Sequence, residues 1–273
     1  MTELRDAAVK AAVEAGRAIL EVYHSSDFDV TVKGDNSPLT RADIASHEVI
    51  MEHLAPLGIP VLSEEGRDMP FKERKGWSEL WIVDPIDGTK EFIKRNGEFT
   101  VNIALARDGV PVLGVIYVPV SGALYVGVQG EGAQKAMCSA DSSLNLTALL
   151  SGADSLPLPK GDRPFTAVAS RSHLSPETEA FISDLKKKHG EVATISKGSS
   201  LKLCMVAEGQ ADCYPRFAPT MEWDTAAGHA VCLAAGCDVL NWESKEPLTY
   251  NREDLINPWF LACGPGMAGN QSK

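Results

Sequence analysis

Asp84 and Asp87 stand around Pro85 and Ile86, at the end of the apolar run Trp81-Ile82-Val83 and just before Gly88 and Thr89. Proline fixes its own φ and keeps the preceding residue extended, so a sharp turn is expected here, bringing both carboxylates to one point. The Ile86 carbonyl adds a neutral oxygen. Oxygen-only ligation suits Mg²⁺. Gly88 and Thr89 fall where a helix can start, and the unpaired N–H groups of a first turn suit a phosphate. A purely local reading competes: Asp87 as an ordinary N-cap accounts for one carboxylate but leaves Asp84 without a role.

Two further stretches carry acid. Glu64 and Glu65 close the short apolar run that begins at Val61, and Glu222-Trp223-Asp224 precedes Thr225-Ala226-Ala227-Gly228. Alone, Asp224 reads as the N-cap of an Ala-rich helix and the glutamates as a solvated pair, while the direction of Glu222 is open. With Asp84 and Asp87 they form a constellation. The chain holds 26 Lys and Arg against 37 Asp and Glu, a formal charge of −11. That balance argues against general binding of a nucleic acid polymer or of an anionic membrane surface. Clustered carboxylates would also repel a phosphate ester unless bound divalent cations reversed the local sign.

The order and wide spacing of Glu64-Glu65, Asp84-Pro85-Ile86-Asp87-Gly88-Thr89 and Trp223-Asp224-Thr225-Ala226-Ala227-Gly228 resemble the signature of the inositol monophosphatase superfamily of Mg²⁺-dependent, lithium-sensitive phosphatases. Lys90 to Thr100, Gly198 to Lys202 and Tyr214 to Phe217 are more similar to one branch, the bacterial 3′(2′),5′-bisphosphate nucleotidases. The resemblance implies an α/β chain with an α+β first half, in the layered αβαβα sugar-phosphatase fold, with the active site between its halves. It implies hydrolysis of the 3′-phosphate of adenosine 3′,5′-bisphosphate to AMP, with the 5′-phosphosulfate analogue as a second substrate, in sulfur assimilation.

By the same resemblance, Glu64, Asp84 and the Ile86 carbonyl hold one Mg²⁺, Asp84, Asp87 and Asp224 hold another, and Glu65 is the candidate for a third. Asp43 and Thr89 are the pair that takes the proton of the attacking water. Ser199, Lys202, Arg216 and His173 contact the nucleotide, and further substrate contacts fall on Glu64, Ile86, Asp87, Gly88, Thr89 and Asp224. Local structure offers Asp43 a second role, because Thr40-Arg41-Ala42-Asp43 resembles a capping box with Asp in place of Glu. Two other functions stay open: an inositol or sugar monophosphatase, which would not need Lys202 and Arg216, and a non-catalytic regulator binding Mg²⁺ or nucleotide.

The elements that must position these groups follow from periodicity. Apolar residues at helical spacing predict amphipathic helices over 3–23 and 41–54, with a strand at Val30 to Val32 and a polar loop over 33–38 between them. A strand near residue 80, a short helix after Gly88, and strands over 99–106, 112–118 and 123–128 predict an antiparallel meander. Val110 to Gly130 carries no charge and is about long enough to span a bilayer, but Pro111, Pro119 and its glycines make it two strands instead. Ser151 to Pro164, with three prolines, reads as a linker. It divides the chain into 1–158, carrying most metal ligands, and 159–273, completing the site and binding the nucleotide. In the second part, strands over 165–169, 192–195, 211–214 and 237–240 alternate with helices over 176–188, 199–208 and 224–235, an α/β pattern. The six cysteines, without a C-x-x-C pair and mostly among apolar neighbours, read as reduced thiols of a cytosolic protein. The expected location is cytoplasmic, either free or peripheral at the cytoplasmic face of the inner membrane, and the oligomeric state is open.

Overall fold

The computed structural model describes residues 1–25, 31–32, 38–66, 69–141, 143–169 and 175–267. In the first half the elements are α1 (Thr2–Tyr23), β1 (Thr31–Val32), β2 (Pro38–Leu39), α2 (Arg41–Leu54), β3 (Val61–Ser63), α3 (Phe71–Arg74), β4 (Glu79–Asp87), α4 (Thr89–Ile93), β5 (Thr100–Arg107), β6 (Val110–Val118), β7 (Ala123–Val128), β8 (Gly132–Met137), α5 (Leu146–Ser151) and β9 (Asp154–Leu156). The second half holds β10 (Phe165–Val168), α6 (Pro176–His189), β11 (Val192–Ile195), α7 (Leu201–Ala207), β12 (Cys213–Arg216), α8 (Glu222–Ala234), β13 (Asp238–Asn241) and β14 (Phe260–Cys263).

Side chains alternate faces along a strand, and here both faces are covered. In β4, Trp81 and Val83 join a core with α1 and α2, while Leu80 and Ile82 point the other way to meet α7 and α8. The seven-stranded sheet runs β3-β4-β5-β6-β7-β8-β9, parallel only between β3 and β4. On the far side of α7 and α8 lies a five-stranded sheet, β11-β10-β12-β14-β13, whose outer face packs Ala167, Cys213, Leu261 and Cys263 against Phe181 and Leu185 of α6. The result is the expected αβαβα layering.

The expected meander is present and longer, extended by β8 and β9. The start of the presumed linker is therefore structured: α5 ends at Ser151, and β9 pairs with β8 through Leu156↔Ala133. The division between 158 and 159 falls in the segment between β9 and β10. Val110 to Val128 forms β6 and β7, and no helix among the described residues is long and apolar enough to cross a membrane. Val30 and residues 33–37 of the expected strand and loop lie outside the described residues. All six cysteines are buried and free.

Helix α8 carries Asp224, and its seat on the sheet requires glycine. A Cβ on Gly114 of β6 would lie 2.3 Å from the Ala227 carbonyl oxygen and 2.8 Å from the Ala230 Cβ. Backbone cannot give way as a flexible side chain does. Gly114→Ala is therefore expected to lower stability by about 1–3 kcal/mol, the usual range for overpacking, and to reduce activity by lifting α8. A urea titration checks the first effect: an unchanged midpoint contradicts the close seat.

Candidate active site

Strand β4 delivers Asp84 and Asp87 through a bulge, and this corrects the expected sharp turn. Asp84 pairs with Asn102 and Asp87 with Thr100, so three steps along β4 match two along β5. In a regular strand, residues three apart point to opposite faces; the extra residue returns Asp87 to the side of Asp84. Two hydrogen bonds hold the bulge. The Ile86 N–H donates to Asp84 Oδ1 at 3.0 Å and Ser46 Oγ donates to the Pro85 carbonyl at 2.8 Å, while Thr89 Oγ1 lies 3.4 Å from the Ile86 carbonyl oxygen. The chain then leaves through Gly88 at φ 94°, in the left-handed region that favours glycine, and α4 follows.

Asp224 completes the cluster from α8. It is the third residue of that helix rather than its N-cap: the helix starts at Glu222, and the Met221 N–H donates to Asp224 Oδ2 at 2.8 Å. Ligand oxygens of Asp84, Asp87 and Asp224 lie within 4.8 Å of one another. Burial first, then the charges of Glu64, Asp87 and Asp224 and a hydrogen bond with Glu64, hold the Asp84 carboxyl well above the usual carboxylate range. Asp224 is pushed up to about 7, by burial first and then by Asp87. Such a group cannot be fully ionised without compensation, and a divalent cation is the natural source of it. With carboxylate and carbonyl oxygens as donors, the site fits Mg²⁺.

Glu64, in the 3₁₀ turn Glu64–Gly66 after β3, reaches Asp84, since β3 lies parallel beside β4. Glu65 acts electrostatically on His47, whose Nδ1 lies 3.0 Å from Ser63 Oγ. Asp43 makes the contacts that both expectations call for. Its Oδ2 accepts from the Thr40 N–H at 2.8 Å and the Thr40 hydroxyl at 2.6 Å, as in a capping box, while Oδ1 accepts from Thr89 Oγ1 at 3.3 Å.

A cleft of about 540 Å³ opens from Asp87, Gly88 and Asp224, with Lys202, Arg216 and Phe217 among its other lining residues. Lys202 Nζ stands 5.9 Å from the centre of the Tyr214 ring, with the Lys197 carbonyl at 3.4 Å. Arg216, at the end of β12, donates through Nη2 to the Pro219 carbonyl at 3.2 Å; its Nε is buried without a hydrogen-bond partner, and its charge acts on Asp224. One cleft is therefore lined both by carboxylates of the cluster and by cations such as Lys202 and Arg216, with Glu91 and Glu98 also in its wall.

Ser199 is placed differently from expectation. It precedes α7 instead of opening it, sits at φ 41°, and donates its hydroxyl to the Glu98 carbonyl at 2.8 Å. His173 lies outside the described residues. Glu222 turns away from the cluster: it is fully buried and accepts from the Asn251 and Arg252 N–H groups at 2.7 and 3.0 Å. Ser200, Asn102 and Glu98 were not picked out from sequence. Asn102 left a signal, a polar residue inside the apolar run Val101 to Leu105 of β5, and buried polar side chains there must find partners.

The fold and the acidic cluster define a class of phosphatase. A model of the inositol monophosphatase family matches residues 1–263, and the chain belongs to this family, which is metal-dependent. Within it, the chain is 48% identical over 260 residues to 3′(2′),5′-bisphosphate nucleotidase CysQ of Escherichia coli (strain K12), covering 93% of this chain and 97% of that protein. The crystal structure of CysQ from Bacteroides thetaiotaomicron, a bacterial member of the same family, matches with a TM-score of 0.87 at 56% identity, covering 95% of this chain and 96% of the other. The extragenic suppressor protein suhB of Bartonella henselae, at 24% identity and a TM-score of 0.71, shares the fold, covering 98% of this chain and 96% of its own.

Proposed function

We propose that this enzyme is a 3′(2′),5′-bisphosphate nucleotidase that hydrolyses the 3′-phosphate of adenosine 3′,5′-bisphosphate to AMP and phosphate. The observation that carries the reading is a single cleft lined by Asp87 and Asp224 of the acidic cluster together with Lys202 and Arg216. Near 48% identity over most of the chain to a nucleotidase of that name supports it.

In this reading Glu64, Asp84 and the Ile86 carbonyl would hold one Mg²⁺ and Asp84, Asp87 and Asp224 a second. When bound, the ions would supply Lewis-acid neutralisation of phosphoryl oxygens and a lowered pKa for the attacking water. Thr89 accepts a proton from that water at Oγ1 while passing its own to Asp43 Oδ1, the atom to which it already donates. Asp43 stays in place during the transfer because the Thr40 cap holds its other oxygen. The backbone at Gly88 and Thr89 borders the transferred phosphoryl group. Lys202 and Arg216 hold the second phosphate, the ammonium as a point charge and the guanidinium as a planar donor group.

Phosphate release from adenosine 3′,5′-bisphosphate, after bound metal is stripped with chelator and then Mg²⁺ is restored, tests this reading. Release is expected only with Mg²⁺, with AMP as the nucleotide product. Undiminished turnover in the stripped protein contradicts it.

A further inference from the structure

Ser200 occupies the N-cap of α7 without capping it. A serine there ordinarily gives its oxygen to a free N–H of the first turn. Here Oγ lies 2.8 Å from Asp87 Oδ2 and 2.8 Å from the Asp224 carbonyl oxygen, touching two residues of the acidic cluster. The hydroxyl has one proton to give, and its neighbours govern where it goes. Thr100 Oγ1 donates to Asn102 Oδ1 at 2.9 Å, which orients the amide so that Nδ2 donates to Ser200 Oγ at 2.9 Å. With its oxygen already accepting, the Ser200 hydroxyl turns its proton toward the cluster, where the carboxylate of Asp87 is a stronger acceptor than a neutral carbonyl. Thr100, Asn102 and Ser200 are 0%, 1% and 3% exposed, so water does not compete for these groups.

The backbone is arranged for this contact. Ser199 takes the left-handed conformation immediately before Ser200, and the loop is fastened to the first half by Glu98. The Glu98 carboxylate accepts from the Gly198 N–H at 2.8 Å and the Lys197 ammonium at 3.1 Å, and its carbonyl accepts from the Ser199 hydroxyl. A Cβ on Gly198 would lie 2.7 Å from the Glu98 carbonyl oxygen, so the close approach excludes a side chain there.

We propose that Ser200, oriented by Asn102, is a positioning residue for the metal site: it engages Asp87 Oδ2, sets the rotation of that carboxylate, and leaves Oδ1 as the ligand atom. The proposal rests on the reading of Asp87 as a metal ligand. It also ties Lys202 to the acidic cluster, because the segment that presents Lys202 to the cleft is the one that orients Asp87.

The test is a calorimetric titration of Mg²⁺ into metal-stripped protein for the parent, Ser200→Ala, Asn102→Ala and the double variant, with thermal melts to establish folding. Ser200→Ala is expected to weaken Mg²⁺ binding about 10–100-fold, the usual effect of losing a group that orients a ligand, and to move KM for the nucleotide far less. Asn102→Ala should weaken binding in the same direction, and the double variant should fall short of the two losses combined, since both side chains act on one carboxylate oxygen. Unchanged Mg²⁺ affinity in folded Ser200→Ala overturns the proposal, as does a KM change without an affinity change or full additivity in the double variant. If Ser200→Ala does not fold, Asn102→Ala decides by the same affinity criterion. A parent that binds no Mg²⁺ removes the metal reading itself, a result distinct from a parent and variant that bind equally well.

Discussion

Asp87→Asn is expected to fold as the parent does and to lose at least about 10³-fold in kcat, because a neutral amide replaces a charged ligand where several kcal/mol of charge stabilisation are needed. The substitution is nearly isosteric, and the partners of Asp87 are a serine hydroxyl at 2.8 Å and the Asn102 amide at 3.4 Å. The hydroxyl can donate to an amide oxygen as it does to a carboxylate, so the bulge should survive. The fold has a reason to tolerate the change as well: removing one of three crowded carboxylates relieves the repulsion that raises Asp84 and Asp224. Kinetics at saturating Mg²⁺ together with a thermal melt check this. Near-parental kcat in a folded variant contradicts the assignment of Asp87.

The second large effect belongs to two cations that line the cleft. Replacing Lys202 and Arg216 together with Ala is expected to lower kcat/KM for adenosine 3′,5′-bisphosphate by on the order of 10²-fold or more. Each charge-assisted contact to a phosphate contributes about 1.5–3 kcal/mol, and half-exposed Lys202 belongs at the lower end. Binding energy from a non-reacting phosphate positions the reacting one, so kcat should suffer with KM. Inositol 1-phosphate, which has no second phosphate, should be little affected. Equal losses on both substrates would mean that the pair supports the site in general.

The gathering of acids was legible because each stretch ends a strand or opens a helix, and such ends converge in layered α/β folds. The means of gathering was not. Asp84 and Asp87 were expected to meet across a turn at Pro85, but register in β4 depends on what β5 places opposite, which no local pattern states. The same limit separates Ser199 from Ser200. Adjacent serines look alike in sequence, and the backbone at Ser199, held by Glu98 101 residues earlier, decides which hydroxyl faces the cluster. Asp43 resisted a choice for a better reason, since its two oxygens do different work. Strand β9 is hidden because three residues are too few to show a period and the prolines after it look like linker. The core faces of α1 and α2 were easier, their apolar residues recurring at helical spacing over long segments.

The most direct measurement is the ratio of kcat/KM for adenosine 3′,5′-bisphosphate to that for inositol 1-phosphate, taken on the unmodified protein at saturating Mg²⁺. Contacts from Lys202 and Arg216 to a second phosphate predict a ratio on the order of 10² or more in favour of the nucleotide. A ratio of one or below would contradict a nucleotidase and leave the acidic cluster serving an inositol or sugar monophosphatase.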